Sequence, residues 1–209
     1  MKKLYFNWSS GKDSALALYQ LIQSNQYEID LLFTSVGKET ERVSMHGLRE
    51  ELLKKQAEMI GIKLEIMHLP NSPNMEIYNQ LMDQKMRHLV GRGYEYTAFG
   101  DIFLEDLKTY REEQLKKVGV KSLFPLWKRN TTELILEFID LGFKSKIVSA
   151  NAKWFGKDFV GQDISHELIN ALPKEVDPCG ENGEFHTFCY DGPMFEKEVE
   201  FTIGKKEKH

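Results

Sequence analysis

The sequence predicts an α/β fold with a parallel sheet covered by helices on both faces, followed by a smaller α+β lobe. Two observations indicate this fold. Through residue 127, apolar runs that suit buried strands alternate with helical segments. After Trp127 the chain changes to a polar stretch, another helix and strand, and a segment rich in Gly, Pro, Asp and Glu. We therefore expect one domain over residues 1–129 and a second lobe over residues 130–209.

The elements follow in order from the spacing of apolar residues. Strands are expected where such residues run continuously or alternate with polar ones, at residues 4–6, 29–36, 62–67, 94–102, 120–127 and 143–150. Helices are expected where they recur at helical spacing, at residues 13–22, 48–60, 75–90, 104–118, 134–141 and 164–172. Asn130 followed by Glu133 fits a capping box at the start of the fifth helix.

Composition argues against several classes of protein. The 209 residues carry a net charge of -4, whereas proteins that bind nucleic acid usually show a basic domain, so nucleic acid is disfavoured as a partner. Cys179 and Cys189 match neither a CxxC redox pair nor a zinc motif, which favours reduced thiols in a cytoplasmic protein. The first apolar run is broken at Asn7 and Ser9, so we expect neither a signal peptide nor a membrane span. The sequence leaves open whether the protein forms a homo-oligomer.

The junction between the first strand and the first helix reads SSGKDS, residues 9–14. Small residues that lead from a strand into a helix present backbone N–H groups and the positive end of the helix dipole to an anion. The Walker pattern does not fit, because Phe6 and Asp13 occupy positions that need Gly and Ser or Thr. The loop resembles the SGGxDS pyrophosphate loop of the N-type ATP pyrophosphatases, the PP-loop superfamily. Ser10 replaces the second glycine, which predicts either ordinary backbone or a slightly strained turn.

A second stretch, EVDPCGENGEFHTFCYDGP at residues 175–193, is highly specific. Together with FGDI at 99–102, LFPLW at 123–127 and AKW at 152–154, it resembles the diphthine-ammonia ligase (diphthamide synthetase) family over essentially the whole chain. The resemblance implies a PP-loop ATP-binding domain of the HUP/adenine nucleotide alpha hydrolase-like fold at residues 1–129 and a substrate-binding lobe at 130–209. The family often has Gly and Asp where this chain has Lys128 and Asn130, which leaves residues 128–130 open as a shared site element.

The resemblance implies roles for residues that match the family's motifs. The ATP-binding set comprises loop residues and residues at neighbouring strand ends: Ser9, Ser10, Gly11, Lys12, Asp13, Ser14, Thr34, Ser35, His46 and Gly100. Asp13 is expected to order the loop or to reach a Mg²⁺ ion, because it would repel phosphate. For Lys12, contact with phosphate and exposure to water are equally compatible with the sequence.

The candidate catalytic residues are Asp101, Lys153, Glu181, Glu184 and His186. Asp101 is expected to bind magnesium or the activated substrate, and Lys153 to face phosphate or the adenylate. For residues 181–186, three interpretations stay open. They form a catalytic cluster in which Glu184 or His186 accepts a proton, a hairpin with turns at Gly180 and Gly183, or a permanent metal site.

The leading hypothesis for the function is an ATP-dependent ligase. It adenylates a carboxylate, releases pyrophosphate, and lets ammonia displace AMP to form an amide. The acceptor implied by the family is diphthine on elongation factor 2 in archaea or eukaryotes, and another carboxylate in a bacterium. Free ammonium is the expected nitrogen donor, with ATP and Mg²⁺ as cofactors. Two alternatives stay open: a PP-loop enzyme that modifies RNA bases, which the acidic net charge disfavours, and a non-catalytic adenine-nucleotide sensor.

Overall fold

The structure is a computed structural model that describes residues 1–43, 47–70 and 74–207. Its strands are β1 (Lys2–Asn7), β2 (Tyr27–Gly37), β3 (Arg42–Val43), β4 (Lys63–Leu69), β5 (Tyr96–Ala98), β6 (Lys121–Leu123), β7 (Lys144–Ala150) and β8 (Phe185–Asp191). Its helices are α1 (Lys12–Ser24), α2 (Glu50–Ile60), α3 (Met75–Gly91), α4 (Glu105–Lys116), α5 (Thr131–Asp140) and α6 (His166–Asn170). The predicted α/β class is confirmed. None of the helices within the described ranges is long and apolar enough to cross a membrane.

The main sheet has parallel strands in the order β4-β2-β1-β5-β6, with the short β3 pairing antiparallel to the end of β2. From the central β1 the chain adds β2 and β4 on one side and then β5 and β6 on the other. The direction of winding therefore reverses between β1 and β5. Ligands of such sheets bind at the carboxyl ends of the strands at this switch point, where residues 9–14 and 99–101 lie.

Helices cover both faces of the sheet, as the alternation of buried residues along β1 indicates. Leu4 and Phe6 belong to a hydrophobic cluster that includes α1, α2 and α5, whereas Tyr5 belongs to a second cluster that includes α3. Phe138 and Phe188, both beyond residue 129, belong to the first cluster. The hydrophobic core thus runs across the expected domain boundary, and the division at residue 129 stays a prediction.

The strand expected at residues 120–127 is limited to β6, Lys121–Leu123, because the chain enters a turn at residues 125–128. Two other segments also differ from the sequence-based expectation. The strand expected at residues 94–102 is limited to β5, because the backbone leaves the sheet after Ala98 and packs on the start of α1. A Cβ atom on Gly100 would lie 2.8 Å from Ser14 N, so this approach requires glycine. The second difference is β8, which forms an antiparallel pair with β7 in a segment whose Gly and Pro content had suggested turns.

Candidate active site

Hydroxyl groups at both ends of the SSGKDS loop close it on itself. Ser9 Oγ donates to Ser14 Oγ at 2.9 Å, and Ser14 Oγ donates to Gly11 O at 3.0 Å. Gly11 N donates to Ser9 Oγ at 3.4 Å, directly before α1 begins at Lys12. The N-terminus of α1 therefore lies at the switch point of the sheet with its first turn held by two serines, an arrangement that suits an anion.

Ser10 adopts the strained alternative of the two expected for it. Its φ is 74°, in the left-handed region, and the residue is completely buried. Its carbonyl oxygen accepts hydrogen bonds from Cys189 N at 2.9 Å and from Gln56 Nε2 at 3.0 Å. Within the described ranges its Oγ has no hydrogen-bond partner. The turn is thus fixed by contacts of the backbone carbonyl rather than by the serine side chain.

Lys12 connects the loop to the second lobe and does not point to water, since 3% of its surface is exposed. Its Nζ donates to Cys179 O and lies 2.7 Å from Asp13 Oδ2, and its backbone N donates to Thr187 Oγ1 at 3.1 Å. Burial lowers the pKa of Lys12, but the negative charges around it, above all that of Asp13, outweigh burial and raise the pKa above its usual value. The pairing of Asp13 with Lys12 is compatible with the expectation that Asp13 orders the loop, and that role stays a prediction.

Two further carboxyl groups lie close enough to Asp13 for its negative charge to raise their pKa values. Burial raises the pKa of Asp101, and Asp13 raises it further, although the Arg111 guanidinium opposes both effects. Burial and then Asp13 raise the pKa of Glu181 to about 8, against the opposing charge of Lys12. Glu181 Oε2 accepts a hydrogen bond from Ile102 N at 3.3 Å. Glu181, far along the chain, thus joins Asp13 and Asp101 beside the loop.

The arrangement of these carboxyl groups indicates what kind of metal site this region could provide. Within residues 1–43, 47–70 and 74–207, no group of three or more His, Cys, Asp or Glu side chains is arranged to hold a metal. The permanent-metal interpretation of residues 181–186 therefore finds no support there. Mg²⁺ usually binds through one or two carboxylates and substrate phosphates while it keeps several waters. The acids around the loop fit an ion that arrives with a nucleotide.

Glu184 is engaged in the turn that precedes β8. Its carboxylate accepts hydrogen bonds from Asp177 N at 3.1 Å, from Asn182 N at 2.9 Å and from Asn182 Nδ2 at 3.2 Å. Burial raises the pKa of Glu184, but these N–H donors outweigh burial and hold the pKa below its usual value. The geometry favours the turn-forming interpretation for Glu184 over proton transfer.

His186 and Lys153 have different surroundings. His186 lies on β8 opposite Ser149, half-buried, and burial together with the charge of Lys12 lowers its pKa while Asp13 opposes them. An imidazole held neutral in this way is suited to accept a proton. Lys153 is exposed beyond the end of β7, with its Nζ 4.5 Å from the centre of the Trp154 ring. The contacts described for Lys153 do not join it to the loop.

The residues expected near adenosine are only partly described. Thr34 is buried on β2, and its Oγ1 donates to Trp8 O at 2.6 Å, which holds β2 to the segment that enters the loop. Ser35 follows it and is half-buried. His46 lies outside the described residues.

Two residues that shape this region were not found from the sequence. Gln56 of α2 is completely buried and bonds to the carbonyl oxygens of both Ser10 and Cys189, while it accepts from Trp8 Nε1 at 3.1 Å. Arg111 of α4 pairs with Asp101 at 2.8 Å. Both lie in helices whose sequences have an ordinary amphipathic pattern, so no local pattern distinguishes these two residues from the other polar residues of their helices.

Comparison with known proteins places the chain in a family. The model of the diphthamide synthase N-terminal domain matches residues 1–122, and that of the diphthamide synthase C-terminal domain matches residues 130–209. The crystal structure of a predicted subunit of tRNA methyltransferase from Methanocaldococcus jannaschii is similar in fold, with a TM-score of 0.52 and 16% identity. That similarity covers 94% of this chain and 100% of the other.

Several curated relatives are named diphthine–ammonia ligase. The Schizosaccharomyces pombe protein is 27% identical over 119 residues, which cover 55% of this chain and 20% of the relative. The Mus musculus protein is 33% identical over 104 residues, covering 46% of this chain and 38% of the relative. The Danio rerio protein is 22% identical over 217 residues, covering 91% and 83%. The chain thus spans well under half the length of the first two relatives. Since the two domain models match both lobes, the chain belongs to the diphthamide synthase family.

Proposed function

We propose that this chain is an ATP-dependent ligase that converts a carboxylate into an amide. The observation that carries the proposal is the meeting of the SSGKDS loop with the segment 177–187 through Lys12 and Thr187. Adenylation requires that the phosphates of ATP and the acceptor carboxylate meet at one place. A phosphate-type loop from one domain and a polar turn from the other lobe supply that place. The names of the family members support the same activity.

In this proposal ATP lies over the carboxyl ends of β1 and β5. Residues 9–14 hold its pyrophosphate portion, and Thr34 and Ser35 lie toward the adenosine. Gly100 lets the backbone pack closely beside the loop. The division into an ATP-binding domain at 1–129 and a substrate-binding lobe at 130–209 is part of the proposal.

The reaction has two steps. A carboxylate oxygen attacks the α-phosphorus of ATP, the bond from that phosphorus to the oxygen bridging toward the β-phosphorus breaks, and pyrophosphate leaves. The nitrogen of ammonia then attacks the acyl carbon, the bond to the AMP oxygen breaks, and the nitrogen loses a proton. The mixed anhydride is needed because a carboxylate is a poor electrophile. Mg²⁺, when bound, would offset negative charge on the phosphates.

The side chains around the loop fit these steps in different ways. Asp13 and Asp101 are the candidates to meet a magnesium ion that comes with ATP. His186 is the preferred proton acceptor because its lowered pKa keeps it neutral. Glu181 faces the same region, Glu184 shapes the turn, and Lys153 is a candidate for contact with the adenylate.

The substrates follow from the family. The acceptor is diphthine on elongation factor 2 if the source is archaeal or eukaryotic, and another carboxylate if it is bacterial. Free ammonium supplies the nitrogen. A cytoplasmic location is consistent with two buried cysteines that form no disulfide.

Calorimetric titration with ATP and Mg²⁺ tests the first part of the proposal. We expect the wild-type protein to bind and Ser14→Ala to lose most of the affinity, because Ser14 Oγ holds the loop closed. Ser24→Ala, at the other end of α1, is the matched control, since Ser24 Oγ bonds to Leu21 O outside the loop. Unchanged affinity in a folded Ser14→Ala variant would contradict the assignment of the loop.

Release of AMP and pyrophosphate tests the second part. The protein is incubated with ATP, Mg²⁺ and candidate carboxylates, with and without ammonium. The proposal expects a single equivalent of pyrophosphate when carboxylate is supplied alone, and continued release of AMP and pyrophosphate, together with amide, only when ammonium is also present. ATP binding without release of pyrophosphate under any of these conditions would indicate a nucleotide sensor instead.

A further inference from the structure

Asp101 stands at the rim of the candidate site, and its side chain is held by a residue from another element. Asp101 follows the end of β5, three residues after Ala98, and Arg111 lies ten positions later on α4. Arg111 Nε lies 2.8 Å from Asp101 Oδ2, and Arg111 Nη2 donates to Asp101 Oδ1 at 3.3 Å. The Nε–Oδ2 contact is an ion pair without hydrogen-bond geometry, so the guanidinium holds the carboxylate by this close pairing and by the one hydrogen bond from Nη2.

The guanidinium is itself oriented by an aromatic ring. Its central carbon lies 4.1 Å from the centre of the Phe99 ring. Phe99 is buried and stacks on Phe124, with ring centres 5.4 Å apart and planes at 17°. Phe99 and Asp101 are two positions apart, so one arginine contacts both. A planar guanidinium can stack on an aromatic ring and pair with a carboxylate at the same time, whereas a lysine ammonium cannot.

The local charge balance also depends on this arginine. Lys12 is the cation paired with Asp13, and Arg111 is the cation paired with Asp101. Without Arg111, the largely buried Asp101 carboxylate would have no ion-pair partner among the residues that the structure describes. A buried carboxylate that has lost its paired cation is destabilised in place, so the Asp101 side chain would turn away from Asp13.

We propose that Arg111 is a positioning residue that fixes the Asp101 carboxylate in the direction from which it meets Mg·ATP. The proposal rests on the proposed function, because it takes Asp101 as part of the ATP site. Arg111 itself touches neither nucleotide nor acceptor. It acts through Asp101.

The test is calorimetric titration of the full chain with Mg·ATP, in wild type and in Arg111→Met, Arg111→Lys, Asp101→Asn and the double variant Arg111→Met/Asp101→Asn. Lys108→Met is the matched control, because Lys108 lies on the same helix and over the rings of Phe124 and Trp127 but pairs with Glu112 outside the site. Thermal unfolding of each variant reports whether it folds.

We expect Arg111→Met to weaken Mg·ATP binding by about tenfold or more, the usual effect of removing a group that orients a ligand-binding carboxylate. Arg111→Lys should recover part of the loss, and Lys108→Met should bind as wild type does. The double variant should bind no worse than Asp101→Asn alone. This lack of additivity distinguishes action through Asp101 from a general effect on stability.

Three results would overturn the inference. They are wild-type affinity in Arg111→Met, additive losses in the double variant, and wild-type affinity in Asp101→Asn. If Arg111→Met does not fold, the test rests on Arg111→Lys. In that case an affinity of Arg111→Lys for Mg·ATP equal to that of Lys108→Met would count against the proposal. A wild-type protein that does not bind Mg·ATP would instead overturn the proposed function, and with it the basis of this inference.

Discussion

Replacement of Ser10 by glycine is expected to stabilise the protein. Ser10 has a φ of 74°, where a side chain crowds the following carbonyl at a cost of about 1 kcal/mol. Its buried Oγ, without a partner in the described part of the chain, costs about another 1–3 kcal/mol. Glycine removes both penalties, but its greater conformational freedom in the unfolded chain lowers the free energy of unfolding by about 0.5–1 kcal/mol. We therefore expect Ser10→Gly to raise the free energy of unfolding by about 1–3.5 kcal/mol.

Denaturant and thermal unfolding measure this gain. For a chain of this length each kcal/mol of the gain corresponds to a rise in Tm of about 2–4 °C. Lys128→Gly is the matched control, because Lys128 has a φ of 58° but an exposed side chain, so the variant relieves strain without removing a buried hydroxyl. Its gain should be smaller. Lower stability in Ser10→Gly, or a gain no larger than that of Lys128→Gly, would refute the assignment of strain and hydroxyl burial to Ser10.

Three other substitutions test the contacts around the loop. Lys12→Met should lower the free energy of unfolding by about 3 kcal/mol, because it leaves Asp13 and Cys179 O without their buried cation; stability equal to that of Lys2→Met, at an exposed lysine, would argue against this. Gly100→Ala should destabilise by about 2 kcal/mol, since its Cβ would meet the backbone of Ser14 and Asp13. Gly156→Ala, with open space around its Cβ among the described residues, is the control, and equal stabilities would contradict the packing argument. Because the folded-state pKa of Glu184 is below 4.5, its contribution to stability is present above about pH 4.5 and is lost as the pH falls through the lowered pKa. Denaturant unfolding at decreasing pH should therefore show a steeper loss in wild type than in Glu184→Gln, and parallel curves would show that the carboxylate does not have this role.

Local signals account for most of what the sequence could predict. The helices and strands of the sheet domain follow from the periodicity of apolar residues, and the cap at Asn130 is confirmed by its hydrogen bond from Glu133 N. Both positions where this chain replaces a family glycine, Ser10 and Lys128, have positive φ. The family pattern therefore carried information about backbone conformation that neither residue type conveys by itself.

Long-range contacts account for what the sequence missed. For Lys12 the sequence left phosphate and water open, because one of its two partners, the carbonyl oxygen of Cys179, lies 167 positions along the chain. Gln56 acquires its role from a contact with Cys189, 133 positions away. Arg111 acquires its role from its ion pair with Asp101, and no repeating sequence pattern marks that contact. The strand β8 did carry a local signal, since FHTFCYD is rich in aromatic residues, but the turn-forming residues before it obscured that signal.

The hydrogen bond from Cys189 N to Ser10 O has a consequence for the order in which the protein is made. The strands β1, β2, β4, β5 and β6 have all been synthesised once residue 123 is joined to the chain, so the sheet can pair early. The loop at residues 9–14 obtains its contacts from Cys179, Thr187 and Cys189 only after these residues, more than 50 positions beyond β6, have left the ribosome. Domains generally fold as units during synthesis. Here the sheet precedes its site, so a nascent chain that ends before β8 would have the architecture of the domain without the finished loop.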